Sequence, residues 1–467
     1  MKKTLPCDSD WISVHGPNVE NGLIGYTERE AEEYRQRILN APNTEELYTI
    51  TGVKYYFSSN GDDSNDGLSP KTPFKSLAKI KDLTYHSGDA ILFERNSIYR
   101  VEEMIDVPSG VTMGSYGEGE KPRFYASLKD YAVGDYWYKT DKENVWKADF
   151  EQGEACGMFF DHGKHTGTLW KAGVDSLKKN YDYHHDADNK VVYLYYDGGN
   201  PGNQHRSIEI SYRLHMMFKF SNARDCVLDN LCIKFSGGFA VVGSGQNISI
   251  TNCEMGYLGG LHGFRLNVRY GNAIEFSHYV VNLRVENNWI YQTFDTAVSW
   301  QLGAEATYEN ISFSHNLFEY NNADIEFFAK GETVENNFLM KNNLMRFTSS
   351  GWGTHDEERG VRGIEGCIRA HSHAMQKFGH TVFEDNVMDC PARRVVFWLT
   401  LPEHRKNIKI RNNKLFLKSS YRTEDVMLCG FSETADNINV VSKAQNELEA
   451  KEAMKRFQED LEIYWKE

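Results

Sequence analysis

Four acidic side chains in the middle of the chain have the types and spacing that acid–base chemistry uses. Asp295 stands in YQTFDTAVSW, Asp324 and Glu326 in NNADIEFF, and Glu275 in RYGNAIEF. Two carboxyls about 5 to 5.5 Å apart serve a retaining glycosidase, and a pair about 6.5 to 9.5 Å apart an inverting one. Carboxylates held this close repel, so one keeps its proton and can act as an acid. The same oxygens suit Ca²⁺, whose ligands gather at about 2.4 Å. An acidic patch on a solvated face is the third reading.

What could bring residues so far apart in sequence together is a repeated winding of the chain. One short phrase recurs: VLDNLCI, ITNCEM, VENNWI, FSHNLF, VENNFL, FEDNVM and IRNNKL. Its fourth positions are Asn230, Cys253, Asn288, Asn316, Asn337, Asn386 and Asn413, separated by 23, 35, 28, 21, 49 and 27 residues. Such spacing fits coils of about 21 to 28 residues with two longer excursions, and one coil alone cannot bury its apolar face. Asn tolerates the left-handed backbone of a tight corner, and identical amides on stacked coils can bond as a ladder.

In this phase Asp295 follows Asn288 by seven residues, Asp324 follows Asn316 by eight, and Arg394 follows Asn386 by eight. Period-two alternation places Ile325 and Phe327 inward and Asp324 and Glu326 outward. It likewise turns Thr296 and Val298 inward, with Asp295, Ala297 and Ser299 outward. Neighbouring strands lie about 4.8 Å apart, so Asp295 is expected within about 5 to 7 Å of Asp324 or Glu326.

The front of the chain carries YYFSSNGDDSNDGLSPKTPFKSL, then HSGDAILFERNSIYR, then SGVTMGSYGEGEKPRFYAS. This run over residues 55–127 resembles the opening of the pectate-lyase-like superfamily. The resemblance implies an all-β right-handed parallel β-helix and leaves activity open, because lyases, glycosidases, epimerases and non-enzymes share that fold. Asp62, Asp63 and Asp66 lack the spacing and closing Glu of an EF-hand and read as turn chemistry. A second run, YLGGLHGFRLNVRYGNAIEF, IYQTFDTAVSWQ, IEFF and GWGTHDEERG, resembles glycosidase-like β-helix proteins of carbohydrate-degrading bacteria. It implies Arg269, Asn272, Glu275, Asp295, Glu326 and Trp352 as groove residues, with Glu275 able to stand in for Asp324.

Trp352, in a Gly-flanked polar loop, could stack on a pyranose face. His371 and His373 alternate in RAHSHAM and so point the same way, where they could bind substrate, act as base or hold a metal, though two ligands fall short of a zinc site. The expectation is a glycoside hydrolase without cofactor or metal, acting on a carbohydrate. The alternatives are a calcium-dependent lyase or epimerase, for which Arg393 and Arg394 would supply the base, and a non-catalytic sugar-binding solenoid.

The solenoid is expected over 51–441, with a small antiparallel insert at 128–215, where Val191–Tyr195 alternate. An N-terminal extension, 1–50, should carry a surface or cap helix opened by a Thr27–Glu30 capping box. A C-terminal helix is expected over 442–467. The formal charge of −14 argues against nucleic acid and anionic membrane as partners. No run reaches the roughly 18 apolar residues of a membrane span. No apolar segment follows the lysines of MKKTLPCDSDWISVHG, so a cytoplasmic location with reduced thiols is expected.

Overall fold

The computed structural model describes residues 26–214, 216–262, 269–301, 306–328, 333–354, 366–370, 377–389, 391–392, 395–399, 407–416, 427–429 and 438–440. His371, His373, Arg393, Arg394 and the C-terminal segment 442–467 lie outside them.

Among the described residues the chain winds through two long sheets of 17 and 10 strands. Every strand pairing within these two sheets is parallel, and the partner is a strand of the next coil. The strand Ile274–Glu286, for example, pairs with Phe239–Thr251 on one side and with Thr296–Gln301 and Thr307–Ser314 on the other. Right-handed crossovers are the rule for parallel strands joined in one sheet. The result is a right-handed parallel β-helix. Inward residues stack along the axis: the Trp300 and Phe327 rings lie 5.0 Å apart and nearly parallel. Each such side chain removed from water contributes roughly 1.5–3 kcal/mol.

The amide ladder exists, in a phase that differs from the expected one at two coils. Asn288, Asn316, Asn343, Asn386 and Asn413 are buried, and each of the first four gives its backbone N–H to the next amide oxygen at 3.0 Å. Asn337 is not a rung. It belongs to an exposed row in which Asn337 donates to Asn310 and Asn310 to Asn282. Asn230 is displaced by one residue: Asp229 pairs with Thr251, which aligns Asn230 with Asn252, not Cys253. The expected left-handed corner is real but belongs to the preceding residue. Asn287, His315, Asn342, Asp385 and Asn412 have φ between 54° and 57°. One residue makes the bend and the next supplies the amide.

The insert forms between coils without interrupting their stacking. Thr112–Met113 pairs with Val227–Leu228, and Arg123–Tyr125 pairs with Cys232–Lys234. Between them lie a five-stranded sheet, antiparallel but for one pairing, and a three-stranded antiparallel sheet. The Phe159 ring of the insert packs on Tyr257 and Trp352 of the coils.

Helix Glu28–Leu39 lies along the ten-stranded sheet and buries Ala31, Arg35 and Ile38. Arg35 grips the buried Glu319 with two nitrogens, and Arg346 bonds Glu319, Glu28 and Asp389. The expected capping box does not form, because the Thr27 hydroxyl donates to Asp389 at 2.6 Å. The Asp62, Asp63 and Asp66 carboxylates accept from nearby turn groups, including the Ser64, Lys75 and Leu68 amides. Cys226, Cys232 and Cys253 are buried free thiols.

Asn343→Ala removes the acceptor for both the amide and the backbone N–H of Asn316. It is expected to destabilise by about 2–4 kcal/mol. Asn337→Gly, at an exposed residue with φ 53°, should stay within about 1 kcal/mol. Urea unfolding midpoints of the two variants check this.

Candidate functional site

Four consecutive coils contribute one outward residue each to a single row. Glu275 pairs with Ser299, Ser299 with Glu326, and Glu326 with Arg369. Asp295 enters from the corner just before its strand. Its backbone is held from both sides, as its N–H donates to Gly271 and its carbonyl accepts from Ala323.

The groups of this row bond one another closely. Glu326 accepts from Ser299 at 2.8 Å and Gln301 at 3.1 Å, and pairs with Arg369 at 2.8 Å. The same Arg369 nitrogen reaches Asp295 at 3.1 Å and donates to the Thr296 hydroxyl at 2.9 Å. One nitrogen shared by two carboxylates puts the bonded oxygens of Asp295 and Glu326 within about 6 Å of each other. The Asp295 side chain is 17% exposed and that of Glu326 5%, so Asp295 is the more accessible.

Glu275 is half-buried and accepts from Asn272 at 2.9 Å. Its pKa is pushed up to about 8, first by burial and then by the negative charges of Glu326 and Asp295, against the Asn272 bond. A carboxyl that keeps its proton thus sits beside an ion-paired couple of carboxylates.

Asp324 does not join them. Each coil turns two successive residues inward at this corner: Ala273 and Ile274, Ala297 and Val298, Cys367 and Ile368 all lie in the core. Thr296 pairs with Ala323 and Val298 with Ile325, so Asp324 occupies the inward position level with Ala297. The side chain is fully buried and accepts from Asn321 at 3.1 Å and Thr348 at 2.6 Å. Burial raises its pKa to about 7. Strict alternation fails here at the corner, where the chain bends at Phe294 and Asp295 into the strand Thr296–Gln301. The same bend turns Thr296 outward and Ala297 inward.

Three expected groove residues are structural supports. Trp352 is buried between Phe159 and Phe294, with its indole N–H on the Gln292 carbonyl at 2.7 Å, so it offers no open face to a sugar. Arg269 is 2% exposed, donates to the Gly260 and Cys156 carbonyls, and lies over the Phe294 ring. Asn272 is buried too. It orients Glu275 with its amide nitrogen and accepts the Thr296 N–H with its oxygen at 2.9 Å.

Arg369, Ser299 and Gln301 did not emerge from the sequence as site residues. A signal for Arg369 was present: Asn343 to Asn386 spans 43 residues, as does Glu326 to Arg369. A ladder phased on Asn343 would have stacked the arginine on the glutamate.

The fit to calcium is poor. The Arg369 guanidinium fills the place between the two carboxylates where a cation would bind. Among the described residues no group of three or more His, Cys, Asp or Glu side chains is arranged to hold a metal ion.

Fold and site together define a right-handed parallel β-helix protein with an acidic, arginine-bridged row on its outer face. No family model matches the chain. Over 108 residues it is 30% identical to a lacto-N-biosidase of Bifidobacterium longum subsp. longum, a match covering 21% of this chain and 7% of that relative. Among solved structures, it is similar to the complex of XylC with xylose, with TM-score 0.41, 12% identity, and 80% and 77% of the two chains covered. The native GH136 lacto-N-biosidase from Eubacterium ramulus gives 0.38 and 12%, covering 89% and 69%. A polygalacturonase from Erwinia carotovora gives 0.37 and 11%, covering 84% and 97%. These likenesses concern the winding of the chain.

The Glu275 pKa predicts a stability effect. A carboxyl at about 8 in the folded state, against an ordinary value of 4.5, keeps a proton that the unfolded chain releases. Its contribution is fully present below about pH 4.5 and is lost as pH rises through about 8. Glu275→Gln, which cannot ionise, should flatten this decline and melt higher than the parent at pH 8.5. Melting temperatures from pH 4.5 to 8.5 measure the difference.

Proposed function

We propose that the chain hydrolyses glycosidic bonds in an oligo- or polysaccharide, with Glu275 as general acid and Asp295, backed by Glu326, as the ionised partner. What supports this is the placement of Glu275, with a carboxyl pushed up to about 8 by burial and neighbouring acids, in one row with the Asp295–Glu326 pair bridged by Arg369. Glycoside hydrolysis needs these two kinds of carboxyl side by side.

Glu275 would give its proton to the leaving oxygen as the glycosidic C–O bond breaks. Asp295 would either bond the anomeric carbon or take a proton from the attacking water. The carboxylates of Asp295 and Glu326 bring negative charge to this row. That charge favours the positive charge growing on the sugar ring in the transition state. Arg369 bonds both carboxylates and fixes their direction. Ser299 and Gln301 do the same for Glu326. The short match to a lacto-N-biosidase supports a hydrolase rather than a lyase. So does Arg369, which is committed to two acids and is no free base.

A panel of chromogenic glycosides and natural oligosaccharides tests the reading. Asp295→Asn and Glu275→Gln should each lower turnover by about 10²–10⁴-fold with the fold retained. Asp324→Asn should leave turnover close to the parent while shifting the melting temperature. Activity of the parent should decline as pH rises through about 8, where Glu275 loses its proton. Full turnover in both Asp295→Asn and Glu275→Gln would sink the proposal, as would no turnover by the parent across the panel.

A further inference from the structure

A cavity of about 460 Å³ opens where the N-terminal segment crosses the coils. It lies by Glu286, eleven residues along the strand from Glu275. Its walls come from two independent parts of the chain. Arg37, Leu47 and Tyr48 line it from the N-terminal side, and Thr251, Asn252, Arg284, Glu286, Asn287 and His315 from the coils.

The polar groups are held in place before any ligand arrives. Arg284 pairs with Glu286 at 2.8 Å and donates to the Tyr48 hydroxyl at 2.8 Å, and that hydroxyl meets Thr251 at 2.8 Å. Arg37 lies over the Tyr34 ring, donates from Nε to Asn287 at 2.6 Å and from Nη2 to the His315 carbonyl at 3.1 Å. Among the described residues its Nη1 has no protein partner. Glu286 pairs with Arg284, whereas the partners of Arg37 are the neutral Asn287 amide, the His315 carbonyl and the Tyr34 ring, so among the described residues no carboxylate pairs with it.

We propose that this cavity is a second binding site, separate from the acidic row, for a saccharide bearing an oxyanion, either carboxylate or sulfate. A guanidinium fixed by neutral partners, with Nη1 left to donate, suits an oxyanion. The Leu47 and Tyr48 wall and the Asn252 and Asn287 amides give a sugar ring an apolar face and hydroxyl partners. The volume lies within the ordinary range for small-ligand sites. The anion part stands on the cavity alone; the sugar part rests on the hydrolase reading.

The test uses the full chain carrying Asp295→Asn, so that turnover does not enter. Calorimetric titrations compare a galacturonate trisaccharide, a sulfated galactose trisaccharide, neutral galactotriose and inorganic sulfate. An acidic trisaccharide should bind, the neutral one should bind at least about tenfold more weakly, and added salt should weaken the acidic one. Which acidic trisaccharide binds tighter tells carboxylate from sulfate. Inorganic sulfate binding as tightly as the acidic sugars would reject the saccharide part. Arg37→Ala should cost at least about tenfold, with Arg37→Lys, which keeps the charge but not the fork, in between. Should Arg37→Ala loosen the helix, Arg284→Gln on the sheet should weaken binding likewise. Amide shifts should appear at Thr251, Asn252 and Arg284 to Asn287. Equal binding of neutral and acidic sugars, no effect of either arginine variant, or shifts confined to Ser299 and Glu326 would each overturn the proposal.

Discussion

Everything in this molecule depends on successive coils stacking in one phase. A coil of a parallel β-helix has no core of its own, so its apolar residues are buried only if the next coil presents its own at the same height. The buried amides enforce that phase. Each rung from Asn288 to Asn386 offers two N–H groups to the Asn oxygen of the next coil, so a slip by one residue would strand buried donors as well as misplace the core. Left-handed residues just ahead of the rungs make the bend that lets the amides turn inward.

The outer row inherits its order from that core. Glu275, Ser299, Glu326 and Arg369 stand in line because Ile274, Val298, Ile325 and Ile368 stack beneath them. Repulsion among three acids is then divided by environment. Two carboxylates share one guanidinium, and the third, half-buried on the coil above, keeps its proton. Breaking the arginine's contacts would leave buried charge uncompensated, which costs more than the pairing itself contributes. The buried cluster of Glu28, Arg35, Glu319, Arg346 and Asp389 follows the same logic on another face, fastening the N-terminal helix across several coils.

Much of this was legible in the residues. The recurring Asn phrase and the strand-turn opening announced the β-helix, and Asp295 and Glu326 were expected to meet on its surface. Asp324 was misplaced because alternation counts one residue in and one out, whereas the corner turns two in succession inward. Trp352 and Arg269 looked like groove residues from their polar, Gly-rich surroundings. The insert covers them, and a contact between segments roughly a hundred or more residues apart leaves no periodic trace. Asn337 reads as a rung because two Asn-Asn pairs lie close together in VENNFLMKNN, and only register tells them apart.

The sequence by itself determined the kind of winding, the acidic character of the outer row and the residue types that could work there, since these follow from local periodicity and side-chain chemistry. The tertiary structure decided which acid faces outward, which one keeps its proton, and that Arg369 joins two of them. Those outcomes depend on the height of one coil above another and on what is shut away from water, and both come into being only when the coils stack.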